Sequence, residues 1–255
     1  MKKFNTFSPE FAYSTIENDF TLWKSHINAN KLVVGISGGI DSSVVAALCA
    51  KIFGKDSVVG VMLPCDGQKD IDDSYAIVNH LGITAYTIDI GDAFNSLKNG
   101  IENNAIEVSD DCVINMPARL RMATLFGVAQ CVSGIVINTC QLSEDIVGYS
   151  TFGGDNFGCY SPLKNLTKTE VVKLAEWLGI PSNLAHKTPI DGLQPLTDEE
   201  KLGFTYERLD NFIRTGIEDE AFKTKILNLY LKNKFKTEIV QLPGPDFGFY
   251  NWFEK

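Results

Sequence analysis

The stretch from Lys31 to Ala50 constrains the fold of this chain more than any other part of its sequence. It begins with an apolar, β-branched run, Leu32–Ile36, which is typical of a buried strand. Ser37-Gly-Gly-Ile-Asp-Ser42 follows, and apolar residues then recur at helical spacing. A strand, a glycine turn and a helix in this order direct a helix N-terminus and several free backbone N–H groups at one point, which favours an anion. We therefore predict a phosphate-binding loop at the edge of a sheet.

Asp41 is the residue of this loop that phosphate binding alone does not explain. A carboxylate beside a phosphate is repulsive unless a cation lies between them, and Mg²⁺ is commonly held by one or two carboxylates plus substrate phosphates. The alternative is a tight turn whose serines cap the helix, and the flanking strand and helix argue against it. The loop is not a Walker A motif, because no Gly-Lys-Ser/Thr follows. The pattern predicts a nucleotide site that uses magnesium.

Composition limits the class of protein. The chain has 255 residues, of which 44% are hydrophobic, so we expect a globular protein of one large domain or at most two small ones. A net charge of −9 argues against a nucleic-acid partner held by phosphate neutralisation. The first residues lack the apolar core of a signal peptide, and no apolar run approaches the length of a membrane span. Six cysteines are scattered without a Cys-x-x-Cys pair, so we expect no disulfide framework, no zinc site and a cytoplasmic location.

Alternating strand and helix patterns predict an α/β protein with a doubly wound parallel β-sheet of about five strands flanked by helices. The later predicted strands cover residues 57–64, 84–90 and 135–140, and the helices between them cover 70–81 and 91–104. In such a sheet ligands bind at the carboxyl ends of the strands, where the glycine turn would lie. We expect one domain with an N-terminal helical segment (1–30), an α/β core (31–196), C-terminal helices (197–236) and an aromatic tail (237–255).

Two arginines stand out in an otherwise apolar segment. Pro117 suits the first turn of a helix over 117–133, and this helix is apolar nearly all round, which predicts that it is buried. Arg119 and Arg121 are its only charges. Because a buried arginine needs an anionic partner, each either forms a structural ion pair or binds a substrate anion, and spacing alone does not decide between these.

The region after the fourth predicted strand gathers further polar residues. Glu144 and Asp145 either complement a helix dipole, or one of them shares a cation with Asp41. The loop 150–160 is rich in glycine and aromatic residues and too long for a simple turn, which is typical of a binding loop. Lys168 lies in the first turn of a helix predicted over 167–179, where a cation is unfavourable unless it faces an anion.

The ends of the chain predict helices as well. Ser8-Pro9-Glu10 is a helix start near the N-terminus, and Thr197-Asp-Glu-Glu200 is a capping box from which a helix runs to about Arg214. A last helix follows Gly216. The tail after Leu242 carries five aromatic residues, and we expect it to dock on the body of the protein or on a partner subunit.

With these segments in place, the loop resembles the Ser-Gly-Gly-x-Asp-Ser loop of the N-type ATP pyrophosphatases, and the chain as a whole resembles the ammonia-dependent NAD synthetases from about residue 15 to about residue 236. Eight motifs in order carry the resemblance: Ser37-Gly-Gly-Ile-Asp-Ser42, Pro117-Ala-Arg-Leu-Arg-Met122, Asn138-Thr-Cys-Gln-Leu-Ser-Glu-Asp145, Gly148-Tyr-Ser-Thr151, Ser161-Pro-Leu163, Leu166-Thr-Lys-Thr-Glu-Val171, Pro189-Ile-Asp-Gly-Leu193 and Asp198-Glu-Glu-Lys-Leu-Gly-Phe-Thr-Tyr206.

The resemblance implies a role for each matching residue. ATP would be bound by the glycine loop, by Thr139, by Lys168 and by Ile190, and the loop residues are Gly35, Ile36, Ser37, Gly38, Gly39, Ile40, Asp41 and Ser42. Asp41 and Glu144 would hold Mg²⁺. Nicotinic acid adenine dinucleotide would meet Arg119, Asp155 and Lys236, and also the positions of Phe152 and Cys159. Asp41, Lys168 and Asp155 would be the catalytic residues.

The chain departs from the family pattern at four of these positions. Phe152 stands where many members carry a lysine or arginine, and Cys159 stands where they carry an aspartate. Phe235 replaces a histidine that often precedes the terminal lysine, and Ile190 replaces a threonine or serine near ATP. The resemblance therefore supports ATP cleavage better than it supports the identity of the acid substrate.

The activity implied is a two-step amidation. The nicotinate carboxylate attacks the α-phosphorus of ATP, pyrophosphate leaves, and ammonia then attacks the acyl-adenylate. Free ammonia is expected, because the 36 residues before Ser37 are too few for a glutaminase domain unless a separate subunit supplies one. The family is typically homodimeric, and neither nucleic acid nor membrane is an expected partner.

Three other functions remain as alternatives. Another adenylating enzyme of the superfamily, such as a transfer-RNA thiolase or lysidine synthetase, is disfavoured by the net charge of −9 and the lack of a cysteine pair. A non-catalytic nucleotide-binding module would not need Asp41, Glu144 and Lys168 together. A relative that amidates a different carboxylate is compatible with Phe152 and Cys159.

Overall fold

The computed structural model describes residues 7–65, 71–187 and 197–238. The first helix, α1 (Pro9–Ser25), begins where its sequence predicts, because the Ser8 hydroxyl accepts a hydrogen bond from the Phe11 N–H at 3.3 Å and proline occupies the first turn. Its residues Ala12, Ile16 and Phe20 recur at helical spacing and are fully buried. The N-terminal segment is thus an amphipathic helix packed on the core.

Parallel strands form the centre of the protein, as predicted. They are β1 (Lys31–Gly35), β2 (Val58–Met62), β3 (Thr84–Thr87) and β4 (Gly134–Ile137). Their order across the sheet is β3-β2-β1-β4, and Val33 of β1 aligns with Val59 on one side and Val136 on the other. The predicted number of about five strands is wrong for the described residues, since the sheet has four. Beyond β4 the pairing shrinks to one bridge between Ile137 and Tyr160, because the next residues turn away and Pro162 has no N–H to donate.

Helices cover both faces of the sheet. Those in the first half of the chain are α2 (Ile40–Phe53), α3 (Ile71–Leu81), α4 (Gly91–Glu102) and α5 (Asp110–Cys131). One face of the sheet packs against α1, α2 and α7 (Lys168–Leu178) through residues such as Leu32 and Val34. The other face packs against Met122, Leu125 and Ala129 of α5. This is the doubly wound arrangement that the alternation of strands and helices predicts.

Two predictions about α5 are wrong. The helix begins seven residues before Pro117, because Ser109 is its N-cap and accepts a hydrogen bond from the Cys112 N–H at 3.3 Å. The helix is not buried all round either, since Ala123, Phe126 and Gly127 are exposed while Met122 and Leu125 face the sheet. Its apolar composition therefore leaves an uncovered stripe on the surface of the chain.

The second half of the chain is helical around the loop 148–167. Its helices are α6 (Leu142–Val147), α7 (Lys168–Leu178), α8 (Ser182–Ala185), α9 (Asp198–Leu202), α10 (Tyr206–Thr215), α11 (Glu220–Asn233) and α12 (Phe235–Glu238). The single helix predicted from Thr197 to Arg214 is wrong, because Gly203 takes a left-handed conformation with φ of 71° and Thr205 caps a new helix. Ile190, its motif and the aromatic tail after Glu238 lie outside the described residues.

The helices α6, α10 and α11 enclose a second apolar cluster, which includes Ile146, Leu209 and Phe222. This cluster holds α6 against α10 and α11 at the carboxyl edge of the sheet, where the glycine turn lies. None of the helices in the described ranges is long and apolar enough to cross a membrane.

Candidate active site

The glycine turn between β1 and α2 is held open by its own serines. The Ser42 hydroxyl donates to the Gly39 carbonyl at 3.0 Å, and the Ser43 hydroxyl donates to the same carbonyl at 2.8 Å. Gly38 has a φ of 79°, a backbone conformation that residues with a Cβ rarely adopt. The N–H groups of Ser37 and Gly39 donate to the hydroxyls of Ser42 and Ser37, whereas the first N–H groups of α2 have no partner within the helix and can meet a ligand.

Three charged side chains from three elements meet above this turn. Lys168 Nζ at the start of α7 lies 2.5 Å from Asp41 Oδ2 in the first turn of α2 and 3.9 Å from Glu144 Oε1 on α6. All three side chains are largely buried, with 7% of Lys168, 17% of Asp41 and 16% of Glu144 exposed. The structure therefore brings together residues that stand up to 127 positions apart in sequence, and the anion that Lys168 faces in this structure is a protein carboxylate.

The electrostatics of this cluster favour a charged lysine. Burial opposes the ammonium form, but the carboxylates of Asp41 and Glu144 outweigh it, so the pKa of Lys168 lies above its ordinary value. Burial, followed by the Asp41 charge, raises the pKa of Glu144 well above that of a free glutamate. A second cation placed between the carboxylates would relieve this repulsion.

The chemistry of the carboxylates fits Mg²⁺. Asp41 Oδ1 is buried and has no hydrogen-bond partner among the described residues, while Lys168 occupies Oδ2. No group of three or more His, Cys, Asp or Glu side chains in the described ranges is arranged to hold a metal ion. Two carboxylates would leave most of the coordination shell to phosphates and water, which is the usual mode for Mg²⁺.

Two buried residues that sequence reasoning missed hold α6 and α7 together. The Ser143 hydroxyl donates to Asp210 Oδ1 at 2.5 Å and accepts from the Lys168 N–H at 3.1 Å. Asp210 Oδ2 accepts from the Thr169 N–H at 2.7 Å. Asp210, on α10, is 3% exposed and satisfies N–H groups at the start of α7 that the helix itself leaves without partners. These hydrogen bonds fix the backbone of Lys168 next to Ser143, the residue that precedes Glu144.

Asn138 organises the other side of the site, and it too was missed. It directly follows β4, and its amide donates to the carbonyls of Asp155 and Phe157 at 2.8 and 2.9 Å. Gly158 packs against it so closely that a Cβ there would lie 2.9 Å from the Asn138 Cβ. The glycine-rich loop is therefore tied to the end of a central strand, where the predicted ATP contact Thr139 also lies, half-buried.

The residues predicted to bind the acid substrate do lie together, but they contact the protein itself. Arg119 Nε donates to the Phe152 carbonyl at 3.1 Å, and Lys236 Nζ donates to the carbonyls of Gly148 and Ser150 at 2.7 and 2.8 Å. Phe152 packs against Phe157 and Phe235, with ring centroids 5.9 and 5.7 Å apart. An aromatic cluster thus joins the loop to α12 at the position where the family pattern has cations.

Asp155 and Cys159 lie in the same loop. Asp155 is solvent-exposed, and its Oδ1 accepts from the Thr151 N–H at 2.6 Å, which closes the loop on itself. Cys159 is half-buried, and its N–H continues the sheet by donating to the Val136 carbonyl at 2.8 Å. The Asp155 carboxylate lies close enough to Arg121 and Lys236 to favour their charged forms, and Cys159 lies at the base of the loop.

The sequence allows two interpretations for Arg121, a structural ion pair or a substrate contact, and two for Asp145, a helix-dipole partner or a metal ligand. Arg121 Nε donates to the Leu63 carbonyl at 3.0 Å, and burial lowers the pKa of its guanidinium. Asp145 lines a cavity of about 30 Å³ beneath the loop, and burial raises its pKa to about 7. Glu144, and not Asp145, is therefore the carboxylate that lies next to Lys168 and Asp41.

Comparisons with known proteins agree with this geometry. The sequence pattern of the NAD synthase family matches residues 15–243. The NH(3)-dependent NAD(+) synthetase of Finegoldia magna is 36% identical over 207 residues, which cover 79% of this chain and 84% of that protein. The range matched by the family pattern includes the glycine turn, α6 and α7.

Solved structures share the whole architecture. The NMN synthetase from Francisella tularensis superposes with a TM-score of 0.85 at 31% identity, covering 93% of this chain and 99% of that one. The NAD+ synthetase from Burkholderia pseudomallei superposes with a TM-score of 0.76 at 26% identity, covering 92% of each chain.

Proposed function

Because this chain belongs to the NAD synthase family, we propose that it forms NAD from nicotinic acid adenine dinucleotide and free ammonia, with cleavage of ATP to AMP and pyrophosphate. The observation that carries the proposal is the meeting of Lys168, Asp41 and Glu144 above the glycine turn. A mere nucleotide-binding module gains nothing from burying these three charges together, whereas phosphoryl transfer requires such a cluster.

In the first step a carboxylate oxygen of the substrate bonds to the α-phosphorus of ATP, and the bond from that phosphorus to the bridging oxygen breaks. The electron pair leaves with pyrophosphate. The N–H groups at the start of α2 and the ammonium of Lys168 lie where this charge develops, and both are preorganised by the contacts described above. Lys168 stays protonated because its pKa lies above the ordinary value.

In the second step ammonia attacks the acyl carbon and AMP leaves. The loop 150–160 would cover this intermediate and keep water from hydrolysing it. Asn138 fixes the loop from below, and Asp155 supplies a carboxylate that can accept a proton from the incoming nitrogen. No covalent enzyme nucleophile is needed.

Asp41 and Glu144 are the residues that would hold Mg²⁺, since Asp41 Oδ1 lacks a partner among the described side chains. When bound, the ion neutralises charge on the phosphates of ATP. Thr139 and Ile190 are proposed to contact ATP, and Arg119, Phe152, Cys159 and Lys236 to line the acid-substrate site.

A second candidate is amidation of nicotinic acid mononucleotide. Two observations favour it. The likeness to the NMN synthetase structure is higher, at a TM-score of 0.85, than the likeness to the NAD+ synthetase structure, at 0.76. By the resemblance, Phe152 also stands where many family members have a cation that touches the dinucleotide, and it packs against Phe235 with the ring centroids 5.7 Å apart.

We further propose one domain that works as a cytoplasmic homodimer. The exposed apolar stripe of α5, where 36% of Phe126 is accessible, supports a subunit contact on this helix. All six cysteines are free thiols, which suits a reducing compartment. Light scattering in solution should give the mass of a dimer, and a monomer at micromolar concentration would contradict this part of the proposal.

The test of function is release of AMP and pyrophosphate from ATP with Mg²⁺ and ammonium, measured with either acid or with neither. Release that depends on the dinucleotide, with NAD formed, supports the first proposal. Release that depends on the mononucleotide alone supports the second candidate. No release with either acid contradicts both and directs the search to another carboxylate.

A further inference from the structure

A recess of about 350 Å³ lies beside the charged cluster, on the side away from the loop 150–160. The N-terminal ends of two helices, α2 and α7, open into it. Its lining includes Ile40, Lys168, Thr169, Lys187 and Tyr206. Glu199 and Glu207 line the recess as well, so an anion is favoured at the end where Lys168 meets the N-termini of α2 and α7. This end lies next to the glycine turn, along the path of the ATP phosphates.

Tyr206 is the member of this lining that the proposed mechanism does not use. It is the first residue of α10 and is 4% exposed. Its hydroxyl is buried and has no hydrogen-bond partner among the described residues. A buried hydroxyl without a partner loses its hydrogen bonds to water and gains none from the protein. Such groups are therefore uncommon unless a ligand or an ordered water forms a hydrogen bond with them.

The surroundings of the hydroxyl define what it can bind. Lys168 Nζ lies 5.5 Å from the centre of the tyrosine ring. Of the nearby carboxylates, Asp41 accepts from Lys168 through Oδ2 and Asp198 Oδ1 accepts from the Tyr149 hydroxyl at 3.0 Å, while no hydrogen bond joins the Tyr206 hydroxyl to either of them. Burial, and then the charges of Glu144 and Asp198, raise the pKa of the Tyr206 hydroxyl above its ordinary value, so it remains a donor.

We propose that Tyr206 is a further catalytic residue, whose hydroxyl donates a hydrogen bond to a phosphate oxygen of ATP on the pyrophosphate side. It would act with Lys168 to stabilise the charge that develops as pyrophosphate leaves. The inference rests on the proposed function, because it assumes that ATP is the occupant of the glycine turn. It adds a neutral aromatic donor to the serines and charged side chains of the site.

The test is Tyr206→Phe, which removes the hydroxyl and keeps the ring. Because the hydroxyl has no partner among the residues that the structure describes, the variant should melt at the same temperature as wild type or higher. Its turnover number should fall about 10- to 100-fold, the range for a lost hydrogen bond to a charged group. The KM for the acid substrate should not change. Calorimetric titration with inorganic pyrophosphate should show a similar loss of affinity.

Tyr13→Phe is the matched control, since that hydroxyl donates to Glu17 Oε1 at 2.8 Å along α1, outside the recess and outside both loops of the site. It should show the opposite signature, a lower melting temperature with unchanged kinetics. Wild-type turnover and pyrophosphate affinity in Tyr206→Phe would overturn the inference, and so would a melting temperature that falls as far as in the control. If the wild-type protein turns over neither acid, the proposed function fails, while pyrophosphate binding by the two variants still tests Tyr206.

Discussion

Two regions of the site differ in what their polar groups touch. The nucleotide half consists of Ser37–Ser43, Glu144, Lys168 and Tyr206, and the acid half consists of Arg119, the loop 148–160 and residues 235–237. In the nucleotide half, Asp41 Oδ1 and the Tyr206 hydroxyl are buried without partners among the described residues. In the acid half, the cationic side chains donate to backbone carbonyls, although the Ser150 hydroxyl is also buried without a partner.

The difference shows where the chemistry and the specificity of this chain lie. Buried polar atoms without a partner, next to opposite charges, indicate a region that binds a ligand. Burial costs these atoms their hydrogen bonds to water, and the described residues supply none in exchange. The acid half is closed on itself by hydrogen bonds and by the rings of Phe152, Phe157 and Phe235. ATP cleavage therefore follows from the nucleotide half, and the choice of acid depends on the half where the chain departs from its family.

The strongest test of this contrast is Asp41→Asn. It keeps the size of the side chain but removes the charge that faces Lys168 and any metal, so turnover should fall about a hundred- to a thousandfold. Pyrophosphate release under saturating substrates measures it. Glu218→Gln, which weakens an ion pair with Arg208 at 2.8 Å far from the site, is the control and should turn over normally. Turnover within threefold of wild type in Asp41→Asn would remove the nucleotide half from the mechanism.

Asp210→Asn asks whether the backbone beneath Lys168 must be held in place. The amide cannot accept from both Ser143 and Thr169, so we expect turnover to fall about 10-fold with little change in either KM. Asp219→Ala is the control, because the Asp219 carboxylate caps α11, a helix that does not carry Lys168, by accepting from the Phe222 N–H at 2.8 Å. Steady-state kinetics should separate the two, with lost turnover in the first and lost stability alone in the second. Equal turnover in both variants would make Asp210 a structural residue.

Asp145→Asn tests the burial of a carboxylate between the two halves, through the pH dependence of the free energy of unfolding. Burial raises the pKa of Asp145 to about 7, above the unfolded value of about 3.9, so between these values the folded state binds the extra proton and stability falls as pH rises. The asparagine variant lacks this dependence and should be about 1–2 kcal/mol more stable than wild type at pH 8, with no gain at pH 4, after allowance for solvent screening. Urea unfolding at both pH values measures it. Parallel pH profiles would contradict the burial of this charge.

The smallest expected effect comes from Phe152→Lys in the acid half. Restoring a cation at this position should lower the KM for the dinucleotide about threefold relative to the mononucleotide, as for a partly exposed charge pair. The KM for ATP should stay the same. Phe157→Leu, which loosens the same aromatic cluster without adding charge, is the control. A change in ATP kinetics would show that the two halves are not separate.

The nucleotide half was predictable because its signals are local. A strand, a glycine turn and a helix follow one another within Lys31–Ala50, and Lys168 is conspicuous as a cation at a helix start. Asn138, Asp210 and Tyr206 were missed because their importance depends on partners brought together by the fold. Asp210 lies 67 residues from Ser143 in sequence, and no periodicity or spacing encodes that contact.

The predicted helix boundaries were wrong for a different reason. Pro117 suggested a helix start, but Ser109 had the stronger cap, and the following Asp110 and Asp111 complement the helix dipole. Gly203 and Thr205 carried the signal for a break between α9 and α10, which the apolar periodicity around them obscured. The contacts of the acid half, by contrast, could not be predicted, since backbone carbonyls accept the hydrogen bonds of Arg119 and Lys236.

The central claim is that the acid is activated by transfer to the α-phosphorus in the nucleotide half. The direct measurement uses substrate labelled with ¹⁸O in the nicotinate carboxylate, followed by mass analysis of the products of one round of amidation. The account predicts one labelled oxygen in the phosphate of AMP and none in pyrophosphate. Label in pyrophosphate or in inorganic phosphate, with unlabelled AMP, would contradict attack at the α-phosphorus and with it the roles given to Asp41, Lys168 and Tyr206.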